Sequence, residues 1–262
     1  MHTLKEKTEA FAELLNIMDE LREKCPWDRE QTFDSIKNLT IEETYELVDA
    51  IINKNMVEIR KEIGDLLLHI VFYSKIASET NDFDIKDVID SLNKKLIHRH
   101  PHVFGEVDVK GDSNKVVENW EELKQKEKGG NKTVLSGVPP SLPALIKANR
   151  VQGKARAVGF DWEKREQVWE KVKEELEELK VEVEKGNPDK IEDEFGDLLF
   201  SIVNAARLYD IDPESALERT NRKFINRFNY LESQTLKKGQ DLRKMSLAEM
   251  DEIWNKAKKM LK

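Results

Sequence analysis

Apolar residues recur at helical spacing along most of the chain, and short polar, Gly- or Pro-containing stretches separate the periodic segments. The first amphipathic segment covers 4–21, and "CPWDREQT" interrupts the pattern at Pro26. Further periodic segments follow at 39–54 and 57–79, and another runs from residue 84 to a stop at Pro101. No segment alternates apolar and polar residues in the manner of a strand. The pattern therefore predicts an all-α protein.

The second half of the chain repeats the first. "EIGDLL" at 62–67 returns as "EFGDLL" at 194–199, 132 residues later. An internal repeat of this kind indicates duplicated structural units. We predict two tandem homologous helical-bundle modules of about four or five helices each, 1–128 and 144–262. The Gly- and Pro-rich segment 129–143, "GGNKTVLSGVPPSLP", is the predicted linker.

Helix ends can also be predicted in both modules. Thr40 followed by Glu43 has the spacing of a capping box, so we expect the helix over 39–54 to begin there. Pro188 suits the first turn of the helix over 188–209. The preceding helix of the second module is predicted over 158–185.

Eight acidic residues lie on the paired helices of the two modules. They are Glu43, Glu46, Glu62 and Asp65 in the first module, and Glu175, Glu178, Glu194 and Asp197 in the second. Residues three apart share a helix face, and a short break makes the two helices antiparallel neighbours. Two like charges 4 Å apart repel by about 4 kcal/mol at an effective dielectric near 20. The clusters therefore predict bound cations, and oxygen ligands favour Mg²⁺ or Mn²⁺ over Zn²⁺.

Two other interpretations of these acids were weighed. A single Glu-x-x-Glu pair on a Lys/Glu-rich helix is more often a solvated surface, but the repetition at identical spacing argues against it. Gly64 lies inside one of the two predicted helices and Gly196 inside its counterpart, and Gly in a helix interior costs roughly 1 kcal/mol relative to Ala. A ferritin-like di-iron bundle requires Glu-x-x-His, and none of the five histidines has Glu three residues before it.

Basic and aromatic residues are repeated as well. Each module has a Lys–Arg pair and a Trp–Lys pair at i,i+4 spacing: Lys95 with Arg99, Trp120 with Lys124, Lys223 with Arg227, and Trp254 with Lys258. Alone, each pair is typical of surface charge. Beside a metal cluster, Lys and Arg can bind phosphate oxygens while Trp covers a base. Together these residues predict a nucleoside triphosphate site.

Composition narrows the classes of protein. The net charge of −8 argues against direct binding to nucleic acid by bulk electrostatics. Cys25 is the only cysteine, so no intrachain disulfide forms and a reducing cytoplasm is expected. The first 25 residues lack the apolar core of a signal peptide, and no window has the 18 apolar residues of a membrane span. We expect a soluble, cytoplasmic protein with no membrane contact.

Six motifs together resemble one family across nearly the whole chain. "CPWDREQT", "EETYEL", "EIGDLLLHIVFY", "HRHPHVFG", "KARAVGFDW" and "EDEFGDLLF" are similar to those of the MazG nucleoside triphosphate pyrophosphohydrolases, in their tandem-domain form. The resemblance implies the all-α NTP pyrophosphatase fold, a homodimer, and Mg²⁺-dependent cleavage of NTPs and dNTPs between the α and β phosphates. Mn²⁺ would be a possible substitute.

The resemblance also implies roles for individual residues. The catalytic metal ligands would be Glu175, Glu178, Glu194 and Asp197, because the C-terminal module carries the activity in the enterobacterial type of the family. The nucleotide contacts would be Lys171, Glu174, Lys190, Lys223, Arg227, Trp254 and Lys258. The acids of the first module are intact as well, so the resemblance does not decide whether that module is active. Its corresponding candidates for nucleotide contacts are Lys95, Arg99, Trp120 and Lys124.

A function of a different class remains open at this point. The chain could be a non-catalytic nucleotide-sensing or protein-interaction module in stress regulation, for example one that contacts a GTPase. Acids kept in both repeats favour catalysis, because a scaffold has no need of clustered carboxylates that repel one another.

Overall fold

The computed structural model describes residues 1–112, 115–116, 119–120, 123–124, 133–237, 239 and 241–260. Within them the regular structure is helical and no residue lies in a strand, so the predicted all-α class is confirmed. The helices are α1 (Leu4–Lys24), α2 (Pro26–Glu30), α3 (Phe33–Ile52), α4 (Met56–Glu79), α5 (Ile85–Arg99), α6 (Pro101–Phe104), α7 (Ala144–Arg156), α8 (Val168–Lys185), α9 (Pro188–Leu208), α10 (Pro213–Lys237) and α11 (Leu247–Met260). Short 3₁₀ turns occupy Arg165–Gln167 and Leu242–Lys244.

The chain forms two compact units, Met1–Lys110 and Gly111–Lys262. The predicted linker, 129–143, lies partly outside the described residues, and its described part, 133–143, consists of turns and irregular backbone. Most of the segment 113–128, which contains Trp120 and Lys124, also lies outside the described residues. The predicted module boundaries stay a prediction.

In the first unit, α3 and α4 pack along their length and α4 also contacts α1 and α5. The core contains Met18 from α1, Ile36 from α3, and Val71 and Phe72 from α4, each no more than 3% exposed. Burial of such side chains contributes about 1.5–3 kcal/mol each. This packing holds α3 and α4 together as a hairpin.

The start of α3 differs from the prediction. Thr32 is the N-cap, and its hydroxyl accepts a hydrogen bond from the Ser35 backbone N–H at 3.2 Å. Thr40 lies inside the helix, where its hydroxyl donates to the Ile36 carbonyl at 3.2 Å. The predicted cap at Thr40 is therefore wrong. Polar, exposed residues at 37–38 interrupt the apolar pattern without interrupting the helix.

In the second unit, α8 and α9 form the equivalent hairpin, α7 packs on α9 and α10, and α10 packs on α11. Gly186 ends α8 in the left-handed region, at φ 71°. Pro188 starts α9, as predicted. The predicted helix over 158–185 is shorter than expected, because it begins only at Val168. The segment 157–164 is irregular and forms part of a cavity.

Among the helices of the described residues, none combines the length and the apolar character needed to cross a lipid bilayer.

Candidate metal and nucleotide site

Three acids of the second unit meet between α8 and α9. Glu175 on α8 and Glu194 and Asp197 on α9 each place one carboxylate oxygen within 4.8 Å of the other two. Glu175 is only 7% exposed. Because Glu194 and Asp197 are three residues apart, both face α8 across the hairpin. An oxygen-only group at this separation fits a hard divalent cation.

Glu178, the fourth predicted acid, adjoins this group. The pKa of its carboxyl is raised by burial and then by the negative charges of Glu175 and Glu194. The structure thus brings together the four acids predicted in the second module. Carboxylates this close repel one another, and positive charge nearby would relieve the repulsion.

Two lysines predicted to contact the nucleotide lie in different positions. Lys171 Nζ is 2.8 Å from a Glu175 oxygen and 2.7 Å from Glu174, and these hydrogen bonds raise the pKa of the ammonium. Lys190 instead pairs with Asp193 at 3.4 Å. Of these two lysines, Lys171 is the one that pairs with an acid of the cluster.

A cavity of about 410 Å³ opens beside these acids. Its lining comprises Phe160, Asp161, Trp162, Val168, Lys171, Glu175, Asp197, Phe200, Ser201 and Asn204. Charged groups of the cluster therefore border the same space as three aromatic rings. Apolar walls with a few polar groups are typical of small-molecule sites.

Several of these lining residues were not predicted. The motif "KARAVGFDW" contributes to the resemblance and overlaps the predicted helix over 158–185, but Phe160, Asp161 and Trp162 were not predicted as site residues. Asn204 was missed because a single Asn on a helix carries no local signal. Ser201, the repeat counterpart of His69, likewise carries no local signal.

Other predicted nucleotide contacts do not line this cavity. They are Lys223, Arg227, Trp254 and Lys258. The Trp254 ring lies 5.0 Å from that of Phe224, which joins α11 to α10. Lys223 and Lys258 are exposed, and Arg227 is half-buried with a buried Nε. Their role in nucleotide binding stays a prediction.

The first unit carries a matching acidic cluster. Glu43 on α3 and Glu62 and Asp65 on α4 also bring carboxylate oxygens within 4.8 Å of one another. Glu62 is 3% exposed, and its Oε2 is buried without a hydrogen-bond partner in the described structure. Burial, followed by the charges of Asp65 and Glu46, raises the pKa of Glu43. Four acids are together here too.

A lysine side chain enters this first cluster. Lys61 Nζ lies 2.9 Å from Glu62, 3.9 Å from Asp65 and 4.0 Å from Glu46. The repeat counterpart of Lys61 is Asp193, so the charge at this position is reversed between the modules. The sequence prediction missed this difference because it followed only the acids.

The remaining first-module candidates are spread over both units. Lys95 and Arg99 lie on α5 of the first unit. Trp120 and Lys124 fall in the second unit, since the chain divides after Lys110. A nucleotide-binding role for these residues stays a prediction.

Comparison with known proteins decides the family. The model of the MazG nucleotide pyrophosphohydrolase domain matches this chain twice, over residues 31–104 and 163–231. The chain belongs to the MazG family. The predicted family membership is confirmed, and each match contains one of the helix hairpins with its acidic cluster.

Two relatives that align over nearly their whole length are named nucleoside triphosphate pyrophosphohydrolases, and a third relative is uncharacterized. The Nucleoside triphosphate pyrophosphohydrolase/pyrophosphatase MazG of Thermotoga maritima is 49% identical over 97% of this chain and 98% of its own length. The Nucleoside triphosphate pyrophosphohydrolase of Escherichia coli K12 is 40% identical over 94% of this chain and 96% of its own. The Uncharacterized protein YabN of Bacillus subtilis is 45% identical over 95% of this chain, which corresponds to 51% of YabN.

Proposed function

We propose that this MazG-family protein is a nucleoside triphosphate pyrophosphohydrolase that cleaves NTPs and dNTPs between the α and β phosphates, releasing a monophosphate and pyrophosphate. The enzyme class predicted from the sequence agrees with the names of its full-length relatives. The observation that carries the proposal is the carboxylate cluster of Glu175, Glu194 and Asp197 at the border of an aromatic-lined cavity. Such a cavity offers apolar surfaces for a base beside ligands for a cation that neutralises phosphates.

Mg²⁺ is the proposed cofactor, with Mn²⁺ as a substitute. The four carboxylates of Glu175, Glu178, Glu194 and Asp197 fit it, because they supply only hard oxygen donors on two facing helices. When bound, the metal would neutralise phosphate charge and lower the pKa of water.

The chain's own residues have separate tasks around that cluster. Lys171 holds Glu175 in place through its hydrogen bond, and its ammonium can move to a phosphate oxygen of the substrate. The carboxylates orient the attacking water toward the α-phosphorus. The family resemblance assigns Lys223, Arg227 and Lys258 to the nucleotide as donors that would stabilise the departing pyrophosphate, and Trp254 as a residue that would cover the base.

The C-terminal module is proposed as the main active site. Two differences between the repeats support this choice. Lys61 brings an ammonium into the first cluster where the second module has Asp193. Phe72, the repeat counterpart of Asn204, is buried in the first unit's core, whereas Asn204 lines the cavity.

A homodimer is proposed as the assembled form. Apolar side chains at corresponding positions of α4 and α9 are exposed: Ile63, Leu67 and Ile70, and Phe195, Leu199 and Ile202. Repeated apolar surface of this kind is typical of a surface that associates. The alternative of a non-catalytic sensor that contacts a GTPase has no observation in its favour among the described residues.

The first prediction concerns the reaction products. Incubation with each NTP and dNTP plus Mg²⁺ is expected to yield the monophosphate and pyrophosphate, detected by ion-exchange chromatography. Chelation of the metal should stop the reaction, and Mn²⁺ should restore it. Diphosphate plus orthophosphate would contradict the proposed bond cleavage, and tight nucleotide binding without turnover would favour the sensor.

The second prediction concerns Lys61. In a Glu175→Gln/Asp197→Asn background, only the first cluster is left intact, and Lys61→Asp should raise its affinity for Mn²⁺ by about tenfold. The physical reason is that an ammonium among carboxylates competes with a divalent cation, although solvent weakens the effect at an exposed side chain. Electron paramagnetic resonance of free Mn²⁺ measures the binding. Lys37→Asp, on the exposed side of α3, is the control and should change little; equal affinities for the Lys61 and Lys37 variants would show that Lys61 does not govern the site.

A further inference from the structure

Asn204 and Ser201 share the cavity face of α9 with the metal cluster. Asp197, Ser201 and Asn204 are spaced by four and three residues, so they follow one helix face. All three line the cavity, and Phe160, Trp162 and Phe200 supply its aromatic surface. The cavity therefore has, besides the acids, two neutral polar groups among rings, which is the composition expected around a nucleobase.

Arg207 fixes the orientation of the Asn204 amide. Its Nε and Nη2 donate to Asn204 Oδ1 at 3.1 and 2.8 Å. Because a guanidinium only donates, the atom facing it must be the amide oxygen. Arg207 does not line the cavity, whereas Asn204 does. The amide therefore turns its oxygen away and presents the Nδ2 amino group, a donor, to the cavity.

Asp161 fixes Arg207 in turn. The Asp161 carboxylate accepts from Arg207 Nη1 at 3.0 Å and from Nη2 at 2.5 Å. Burial raises the pKa of Asp161, but the hydrogen bonds from Arg207 and the Trp162 backbone outweigh it, so the net pKa lies below the ordinary value. Asp161 borders the cavity with both oxygens already engaged. Asn204 is thus held by a partner that is itself immobilised.

Ser201 offers the opposite hydrogen-bonding character. Its hydroxyl proton is donated to the Leu198 carbonyl at 2.8 Å, and the residue is 6% exposed. Because its proton is engaged in this hydrogen bond, the Ser201 hydroxyl oxygen can act only as an acceptor toward the cavity. A donor from Asn204 and an acceptor from Ser201 therefore lie one helical turn apart on the same face.

We propose that this donor–acceptor pair selects keto nucleobases. Uracil, thymine and guanine present a carbonyl oxygen next to a ring N–H, which matches an Asn204 donor and a Ser201 acceptor. Cytosine and adenine present an amino group next to an unprotonated ring nitrogen. In the same ring orientation as a keto base, their amino group would meet the Asn204 donor and their ring nitrogen the Ser201 acceptor, so neither hydrogen bond would form. The inference rests on the proposed function, because it assigns the base specificity of that same site.

The first module lacks both groups. The repeat counterparts of Ser201 and Asn204 are His69 and Phe72, and both of these side chains are buried. The selectivity is therefore a property of the second unit alone. Substitutions at Ser201 and Asn204 therefore leave the corresponding positions of the first module unchanged.

The test compares kcat/KM for UTP with CTP, and for GTP with ATP, in three proteins. The wild type should prefer each keto substrate by about tenfold. Asn204→Asp preserves size and the contact with Arg207, but replaces the donor by an acceptor, so the preference should reverse toward CTP and ATP. Ser201→Ala should reduce the preference without reversing it. Asn38→Asp, at an exposed position of the first unit, is the matched control and should retain the wild-type ratio.

The outcomes separate this inference from the proposed function. Hydrolysis with equal keto and amino rates, or an Asn204→Asp ratio equal to that of the wild type, overturns the inference and leaves the function standing. If no triphosphate is hydrolysed, the proposed function fails. Calorimetry with nonhydrolysable analogues of UTP and CTP then decides the base preference, and circular dichroism verifies that each variant is folded.

Discussion

Glu175→Gln is expected to lower the rate of pyrophosphate release on the order of 100-fold or more, and Asp197→Asn should do the same. Each change removes a negative oxygen from the cluster that would hold the metal while preserving side-chain volume. The loss of an electrostatic contribution of this kind typically costs 10²–10³-fold in turnover. Initial rates with UTP and Mg²⁺, measured by coupled phosphate detection after pyrophosphatase, give the value.

Two control variants locate the effect. Glu177 lies on the same helix as Glu175, but its carboxylate pairs with exposed Lys180 at 2.7 Å. The Glu177→Gln variant should therefore have unchanged turnover. Glu43→Gln alters the first cluster and should leave most of the activity. An equal loss from Glu43→Gln and Glu175→Gln would mean that both modules share the work, which would contradict the assignment of the main site to the second.

Asp161→Ala is expected to lower the free energy of unfolding of the second unit by roughly 3 kcal/mol. The change leaves Arg207, whose side chain is 9% exposed, without its carboxylate partner. Removal of one member of a buried ion pair typically costs about 3–5 kcal/mol, and the remaining Asn204 contact offsets part of this. Urea unfolding in a Trp27→Phe background measures the effect, because the other four tryptophans all lie in Gly111–Lys262.

The control for this variant is Lys180→Ala. The ion pair of Lys180 with Glu177 is exposed, so the free energy of unfolding should change by less than about 0.5 kcal/mol.

The dependence of the effect on pH provides a second criterion. Since folding lowers the pKa of Asp161 from its ordinary 3.8, its contribution is complete above that pH and is lost as the pH falls further. The difference between wild type and Asp161→Ala should therefore shrink below pH 3.8. A constant difference would show that packing, not charge, explains the loss.

Both acidic clusters could be predicted because the information is local. Glu194 and Asp197 share a face by helical periodicity alone, and a short break between two amphipathic segments forces a hairpin. The repeat then identified Glu62 and Asp65 by the same spacing. No knowledge of distant contacts was needed for this part of the site.

Errors arose where polar residues or irregular backbone interrupted the pattern. Thr40 was predicted as a helix start because Glu43 follows it at capping-box spacing, although the helix already begins at Phe33. The segment 158–164 was predicted as helix, yet it is irregular and supplies cavity residues such as Phe160 and Trp162. The packing of an irregular segment depends on partners remote in sequence, and no periodicity encodes it.

The amino-acid sequence by itself determined the all-α class, the duplication and the family, together with the placement of four acids on each hairpin. These features follow from spacings of three to four residues and from a repeat that can be counted. Only the tertiary structure decided that Lys61 reaches into one cluster and that a cavity adjoins the other. It also decided that Asn204 lines that cavity while its amide oxygen accepts from Arg207, and that Asp161, 46 residues before Arg207 in sequence, holds Arg207 in place. Side-chain direction and cavity shape result from contacts between distant segments, which a helical pattern does not specify.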